Sequence, residues 1–463
     1  MSHAPHYFIC GLGGSGMLPI ARLLKAQGAI ICGSDRAFDQ GQTPEKFQVL
    51  QEEGMRLYRQ DGSGIAPHLD AVIASSAIER TVPDLKRANE LGLPIYNKAE
   101  ILARFINQGK AIAVSGTSGK TTVTGMIGFV LEMHGLAPQM MNGGHIVNFW
   151  QERGNGNALT GKGDIFVCET DESDNSVSSY NPAVTILNNI TMDHKPIEEL
   201  RVIFSDLLKR TRETVILNMD DPEVAALYMT DVAAKIITFG IKTKCADFIA
   251  TDIQMHAHGS DFNIIQTQTG ESAAIHIRMP GQHNILNALA ACCAAYQCDI
   301  SLSQFAEYMC EFKGIKRRFE VVSHDKNATI IDDFGHNPDK IQASLRTLAQ
   351  YKGRKIVVFQ PHGFGPTKMM KDDLIEVVAS LLQKDDIFIM PEIYYAGGQA
   401  QKDISSSDII TALKEQGVNA HFFNARGDIP KFVQGNHKAG DIIMVMGARD
   451  DTLSDFAKTI LSA

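Results

Sequence analysis

The sequence lacks any apolar run of the ~18–20 residues that a membrane-spanning helix needs. Its opening, MSHAPHYFIC, enters a strand-like run at once and leaves no room for a secretory leader. A cytoplasmic protein that engages no membrane is expected. Cysteine pairing is missing too. The eight cysteines (10, 32, 168, 245, 292, 293, 298 and 310) form no C-x-x-C and no zinc spacing, and they lie inside apolar patterns. Buried, reduced thiols are therefore expected. There is no excess of positive charge: 44 Lys+Arg stand against 53 Asp+Glu, a net charge of −9, which argues against a nucleic-acid partner. Repeats, low-complexity tracts and long linkers are also absent. With 44% hydrophobic residues, enough apolar surface exists to exclude a disordered chain.

What is present is 463 residues of alternating strand and helix patterns, which suggests about three domains of α/β class with mostly parallel sheets. The first unit reads strand (7–10), glycine turn, helix (17–27), strand (29–32), with a further strand at 71–75 and a helix plus connector over 97–110. The pattern restarts at 111–114 with a second glycine turn, and strands follow at 164–168, 184–187 and 214–217. Residues 245–280 alternate apolar and polar, as antiparallel strands appended to the middle domain would. A helix over 284–297 precedes a third α/β pattern with strands at 329–331, 355–359, 386–390 and 441–445. The expected domains are 1–107, 108–313 and 314–463.

The first turn, Gly11-Leu12-Gly13-Gly14-Ser15-Gly16, is G-x-G-x-x-G between a strand and a helix. Such glycines admit a pyrophosphate to the helix N-terminus, and Asp35 follows where a ribose-binding acid would lie. Alone, this motif reads as a dinucleotide cofactor site. The second turn, Gly116-Thr117-Ser118-Gly119-Lys120-Thr121-Thr122, is a shortened phosphate loop, with Val114 in the place of the usual first glycine. Its N–H groups suit phosphates, Lys120 the β- and γ-oxygens, and a threonine hydroxyl Mg²⁺. An ATP-type loop beside the first turn argues against a simple NAD(P)-dependent oxidoreductase. Further polar groups stand at strand ends: Glu169-Thr170-Asp171-Glu172-Ser173-Asp174, suited to a metal, and Asn188-Asn189-Ile190-Thr191-Met192-Asp193-His194.

These pieces, with GSD (33–35), SSAI (75–78), LNMDDP (217–222), GQHNILNALAA (281–291), FKGIKRRFE (312–320), DDFGHNP (332–338), FQPH (359–362) and MGA (446–448), stand in the order found in one family. The chain resembles the Mur ligases, ATP-dependent amide-bond-forming enzymes of bacterial peptidoglycan assembly, and most of all their alanine-adding branch. The resemblance implies a Rossmann-like first domain, a central ATPase-like domain and a Rossmann-like third domain that binds the incoming amine and part of the nucleotide.

It also implies partners and roles. A UDP-N-acetylmuramate-type nucleotide sugar would meet Gly11, Gly13, Gly14, Ser15, Gly16, Asp35, Ser75 and Ser76, and His362 would also serve substrate binding. ATP would meet Gly116 through Thr122, Asn284, Asn287, Arg318 and Asp333, and Mg²⁺ would meet Thr121, Glu169 and His194. Lys120, His194, Arg318 and His336 would serve the reaction, in which a substrate carboxylate is phosphorylated and an amino acid or short peptide attacks the acyl phosphate. Arg317 reads either as a second site arginine or as a surface partner.

Four departures from the branch stand out. Ser118 replaces a histidine, Asn337 replaces a second histidine, and Lys195-Pro196 replaces a segment that carries an acid. Gly363-Phe364-Gly365-Pro366-Thr367-Lys368 follows FQPH where arginines that meet the amino-acid carboxylate usually stand. Intact ATP chemistry with altered amine specificity is expected, and Lys368 is the candidate replacement charge. A recycling ligase that adds a murein tripeptide, a paralogue working on another acid and amine, and a nucleotide-binding regulator without catalysis are the alternatives.

Overall fold

A computed structural model describes residues 4–14, 16–75, 78–153, 155–173, 176–192, 195–324, 327–395, 401–448, 450 and 452–461. Of the residues singled out above, Ser15, Ser76, Asp174, Asp193 and His194 lie outside them. The chain folds into two compact units: residues 1–252, 262–275 and 283–312, and residues 253–261, 276–282 and 313–463.

The first unit opens with a parallel five-stranded sheet. Its order is Arg56–Tyr58, Ile30–Ser34, His6–Cys10, Ala71–Ala74, Ile95–Asn97. The chain runs outward on both sides of His6–Cys10, so this strand sits at the point where the order reverses, and the glycine turn leaves its carboxyl end. Helix Met17–Ala26 follows because apolar residues recur at one-turn spacing; Met17, Ile20, Ala21 and Leu24 are all buried. Helix Lys98–Asn107 starts at a reciprocal cap between Asn97 and Glu100 and buries Ile101, Leu102, Phe105 and Ile106. These side chains share one core with Phe166 and Cys168 of the next sheet and Leu207 of helix Ile197–Arg210, so both sheets belong to one compact unit.

The central sheet has ten strands. Lys110–Ser115 lies in its middle, between Val184–Leu187 and Ile165–Glu169 and parallel to both. The runs AIAVS, VTIL and TVILN are buried at every position, as strands covered on both faces must be. At one edge stand Phe248–His256, Gly259–Gln266 and Ser272–Ile277, adjacent in that order. The two-residue link between the first two requires an antiparallel pair, in line with the alternating sequence.

The second unit carries a six-stranded sheet: Glu320–His324, Ala328–Asp333, Asp441–Gly447, Lys355–Gln360, Ile387–Pro391, Ala420–Phe423. Only the first pair is antiparallel. Side chains alternate between two cores: Ile331, Val357, Phe359 and Met444 face one, and Ile330, Ile356, Val358 and Ile443 face the other.

All eight cysteines are free, but not all are buried. Cys245 sits in the turn after strand Lys235–Gly240, and Cys310 stands on the outer face of helix Leu302–Glu311; both are exposed, and Cys298 is half-buried. An apolar neighbourhood in sequence does not fix which face of a helix or turn a side chain takes. Among the described residues no helix is long and apolar enough to cross a membrane.

Candidate functional site

The phosphate loop grows from the middle strand of the central sheet, and its two neighbours deliver Glu169 and Asn188 at the same edge. Asn189 frames the loop from outside. Its Oδ1 accepts from the Ser118 N–H at 2.8 Å and the Thr117 hydroxyl at 3.0 Å, and its Nδ2 donates to the Ser118 carbonyl at 2.9 Å. Asn188 Nδ2 donates to Asn287 Oδ1 at 2.9 Å, and Asn287 Nδ2 to Asn284 Oδ1 at 3.1 Å. The helix asparagines and the loop therefore form one polar chain. Gly119 stands at φ +84°, and a Cβ there would fall 2.5 Å from Asn287 Oδ1 and 2.6 Å from Asn188 Nδ2, so no other residue fits.

Lys120 begins helix Lys120–Met133. Its ammonium donates to the Gly116 carbonyl and to both oxygens of buried Glu172 at 3.0 Å. The Thr121 hydroxyl donates to Glu169 Oε2 at 2.8 Å. Gly143 lies against this pair: a Cβ at 143 would come within 2.2 Å of Glu169 Oε1 and 3.4 Å of Thr121 Oγ1. Burial raises the pKa of Asp171, but the Ser173 hydroxyl and amide, then Lys120 and Lys98, outweigh it and hold the carboxyl below its usual range.

In the first sheet, Gly13 N–H donates to Asp35 Oδ2 at 2.9 Å, while Asp35 Oδ1 accepts from Ala37 N–H at 2.9 Å and so caps the short helix Arg36–Asp39. Asp35 thus holds the glycine turn to the next strand. A Cβ at Gly16 would come within 3.3 Å of Lys98 Nζ, which places this lysine beside the turn as well as in the field of Asp171. Ser75 is half-buried at the end of strand Ala71–Ala74.

The second unit brings Arg318, Asp333, His336 and His362 to the carboxyl edge of its sheet. The Arg318 guanidinium lies over the Phe334 ring at 4.6 Å. Asp333 Oδ2 accepts from Phe319 N–H at 2.9 Å, and Oδ1 accepts from Gly335 N–H and the Ser344 hydroxyl, both at 2.8 Å. His336 Nδ1 donates to the Phe334 carbonyl at 2.9 Å, and its ring stands 5.6 Å from that of His362. Burial above all, then Lys340, lowers the His336 pKa to about 4; the Phe334 bond opposes the shift, and His362 and Arg318 add to it. Such an imidazole is neutral near pH 7: it suits hydrogen-bond acceptance and cannot store a proton taken from an amine.

Arg317 is not a surface residue. It pairs with fully buried Asp332 at 3.3 Å and donates to the Gly447 carbonyl at 2.7 Å and the Asp450 carbonyl at 3.3 Å. Its backbone turns left-handed (φ +59°), which separates its direction from that of Arg318. Lys368 is exposed and paired with Asp403 at 2.5 Å, so its charge is already matched. Phe364 packs with Ile393, Ile404 and Tyr395 instead.

The residues expected to hold ATP and a divalent ion therefore cluster within the first unit as far as Gly116–Thr122, Glu169, Asn284 and Asn287 are concerned. Lys98 and Gly143 join the site without any signal in the sequence, and Glu172 and Asn189, members of the two polar strand-end runs, take specific partners there. The partners of Glu172 and Asn189, and the approach of Lys98 and Gly143, arise only from folding. The residues fit the expected groups. The Thr121 and Glu169 oxygens are the hard donors Mg²⁺ takes, and Gly143 leaves the space beside them open. Ser118, Gly119 and Lys120 are only half-buried at the start of helix Lys120–Met133, where phosphates would dock.

Three family models match the chain in succession: "Mur ligase family, catalytic domain" over residues 6–110, "Mur ligase middle domain" over 114–295 and "Mur ligase, glutamate ligase domain" over 317–449. The UDP-N-acetylmuramate–L-alanine ligase of Desulfitobacterium hafniense is 31% identical over 460 residues, covering 96% of this chain and 97% of that protein. The enzyme of that name from Streptomyces griseus is 32% identical, covering 97% and 95%. Among solved structures, the UDP-N-acetylmuramate-alanine ligase of Thermotoga maritima superposes with a TM-score of 0.79 at 24% identity, covering 99% of this chain and 98% of that one. A murein peptide ligase of Psychrobacter arcticus superposes at 0.72 and 22% identity, covering 99% and 98%.

Proposed function

The chain belongs to the Mur ligase family, and from that premise we propose that it joins an amine to the carboxyl group of a UDP-N-acetylmuramate-type nucleotide sugar at the expense of ATP. The observation that carries this reading is the phosphate loop with Lys120 and the Thr121–Glu169 pair on one sheet edge. Lys120 exchanges Glu172 for the β- and γ-phosphate oxygens. Thr121 and Glu169 hold Mg²⁺, which supplies neutralisation of phosphate charge when bound, and we assign His194 to the same metal chemistry. The loop from Gly116 to Thr122, with Asn284 and Asn287, positions the nucleotide. The sugar carboxylate takes the γ-phosphoryl group of ATP, releasing ADP and forming an acyl phosphate, which the amine attacks to give amide, phosphate and a proton.

The turn Gly11–Gly16, with Ser75 and Ser76, receives the UDP portion. Asp35 shapes that turn, and Lys98 adds positive charge beside it. Arg318 binds phosphate, Asp333 fixes the backbone around it, and His336 and His362 face the acceptor chemistry. A cytoplasmic location accords with a reaction supplied by ATP.

The acceptor is L-alanine or a related amino acid or peptide. The apolar cluster at Phe364 and the matched charge of Lys368 favour a second reading in the same family, attachment of a preformed peptide whose carboxylate is not gripped there. Phosphate release with UDP-N-acetylmuramate, Mg²⁺ and ATP against amino acids and short peptides separates them. Release with alanine supports the biosynthetic reading, release with tripeptide alone supports recycling, and no release with any pair sinks the muramyl assignment. Lys120→Ala is expected to abolish release while UDP-sugar binding survives in a direct titration.

A further inference from the structure

Away from the nucleotide loop, three adjacent strand segments each bring one metal-ligating side chain together. His256 ends strand Phe248–His256, Asp261 lies on Gly259–Gln266 and His276 on Ser272–Ile277. All three belong to the second unit. The shortest side chain is on the middle strand, so the two longer imidazoles lean over it from either side. Neighbouring strands lie about 4.8 Å apart, a span that two histidines can close across a central aspartate.

Asp261 Oδ1 is 2.8 Å from His276 Nδ1, and Oδ2 is 3.2 Å from His256 Nε2. The two rings lie nearly parallel, 6.1 Å apart at 17°. One ligand atom from each residue falls within 4.8 Å of the others. Donors bound at about 2.1 Å in a tetrahedral shell stand roughly 3.4 Å apart, so small rotations of the half-exposed side chains suffice to enclose an ion. Gly259, at the strand link, leaves room for this arrangement: a Cβ there would sit 3.2 Å from His276 Cε1.

We propose that His256, Asp261 and His276 form a binding site for a divalent transition metal of the Zn²⁺ class. Two neutral imidazoles and one carboxylate select borderline ions such as Zn²⁺, Co²⁺ or Ni²⁺ over Mg²⁺, which prefers oxygen alone. Three protein ligands leave at least one coordination position to water. The ion pins the three strands together beside His258, whose ring packs on His324 at 4.9 Å and Tyr351 at 5.7 Å. The site is thus a clamp on the sheet tip, independent of the ligase chemistry.

The full-length chain, stripped of metal, is titrated with Zn²⁺ alone near neutral pH against a chromophoric chelator. His256→Ala and His276→Ala are each expected to bind one equivalent fewer than the unaltered chain, and His276→Cys, which keeps a zinc ligand, to bind the same number as the unaltered chain. Zn²⁺ is expected to raise the melting temperature of the unaltered chain by a few degrees more than that of either alanine variant. Equal stoichiometry in all four chains would overturn the site. So would loss in His276→Ala without recovery in His276→Cys, because the histidine would then serve folding rather than ligation.

Discussion

His336 ties the stability of the protein to pH through a single side chain. Its folded pKa of about 4 lies below the ordinary value of about 6.5, so below pH 6.5 the unfolded chain takes up a proton that the folded chain refuses. The stabilisation from neutral burial is complete above pH 6.5 and is lost as pH falls toward 4. It amounts to about 3 kcal/mol. Urea midpoints for His336→Asn are expected to fall less than those of the unaltered chain between pH 7 and pH 4.5; parallel curves would mean that another group governs the acid limb. Arg317 offers a second test. Removing its guanidinium leaves Asp332, wholly buried, without its cation, so Arg317→Ala should cost about 3 kcal/mol in urea unfolding. Glu169→Gln removes charge without changing shape: it should leave the melting temperature nearly unchanged and slow Mg²⁺-dependent phosphate release on the order of 100-fold.

At the level of elements, the phosphate loop depends on a glycine that nothing else can replace. Gly119→Ala must place a Cβ both in a left-handed backbone and against Asn287 and Asn188. The backbone component alone costs about 1 kcal/mol. Nucleotide affinity, followed by titration with a non-hydrolysable ATP analogue, should fall at least tenfold, whereas UDP-sugar affinity should hold. The elements themselves were legible in the sequence. Val184–Leu187 and its parallel neighbours are buried, largely apolar runs because both faces of the sheet are covered, and polar residues stand at or just after their carboxyl ends. The partners of those groups were not legible. Nothing local links Lys120 to Glu172, or Asn189 to Ser118, because such pairs arise from strand adjacency rather than spacing. Arg317 and Arg318 diverge through a left-handed residue that no apolar pattern announces.

For the whole molecule, the three α/β patterns forecast three α/β domains, and the structure holds one sheet for each pattern. Their grouping into two compact units was hidden, because it depends on Phe105, Phe166 and Leu207 sharing one core across distant segments. Each unit has its own core, so calorimetry should resolve two unfolding transitions, and UDP-sugar alone should raise the one belonging to the first unit. The asparagine frame around the loop has a thermodynamic consequence for the reaction as a whole. A glycine-rich segment that ordered only on contact with phosphate would spend roughly 1 kcal/mol per residue of each binding event on its own immobilisation. Here Asn189 has already fixed Thr117 and Ser118 in the folded chain, so that entropy is lost once, at folding, and every nucleotide that arrives meets a surface with its shape already set.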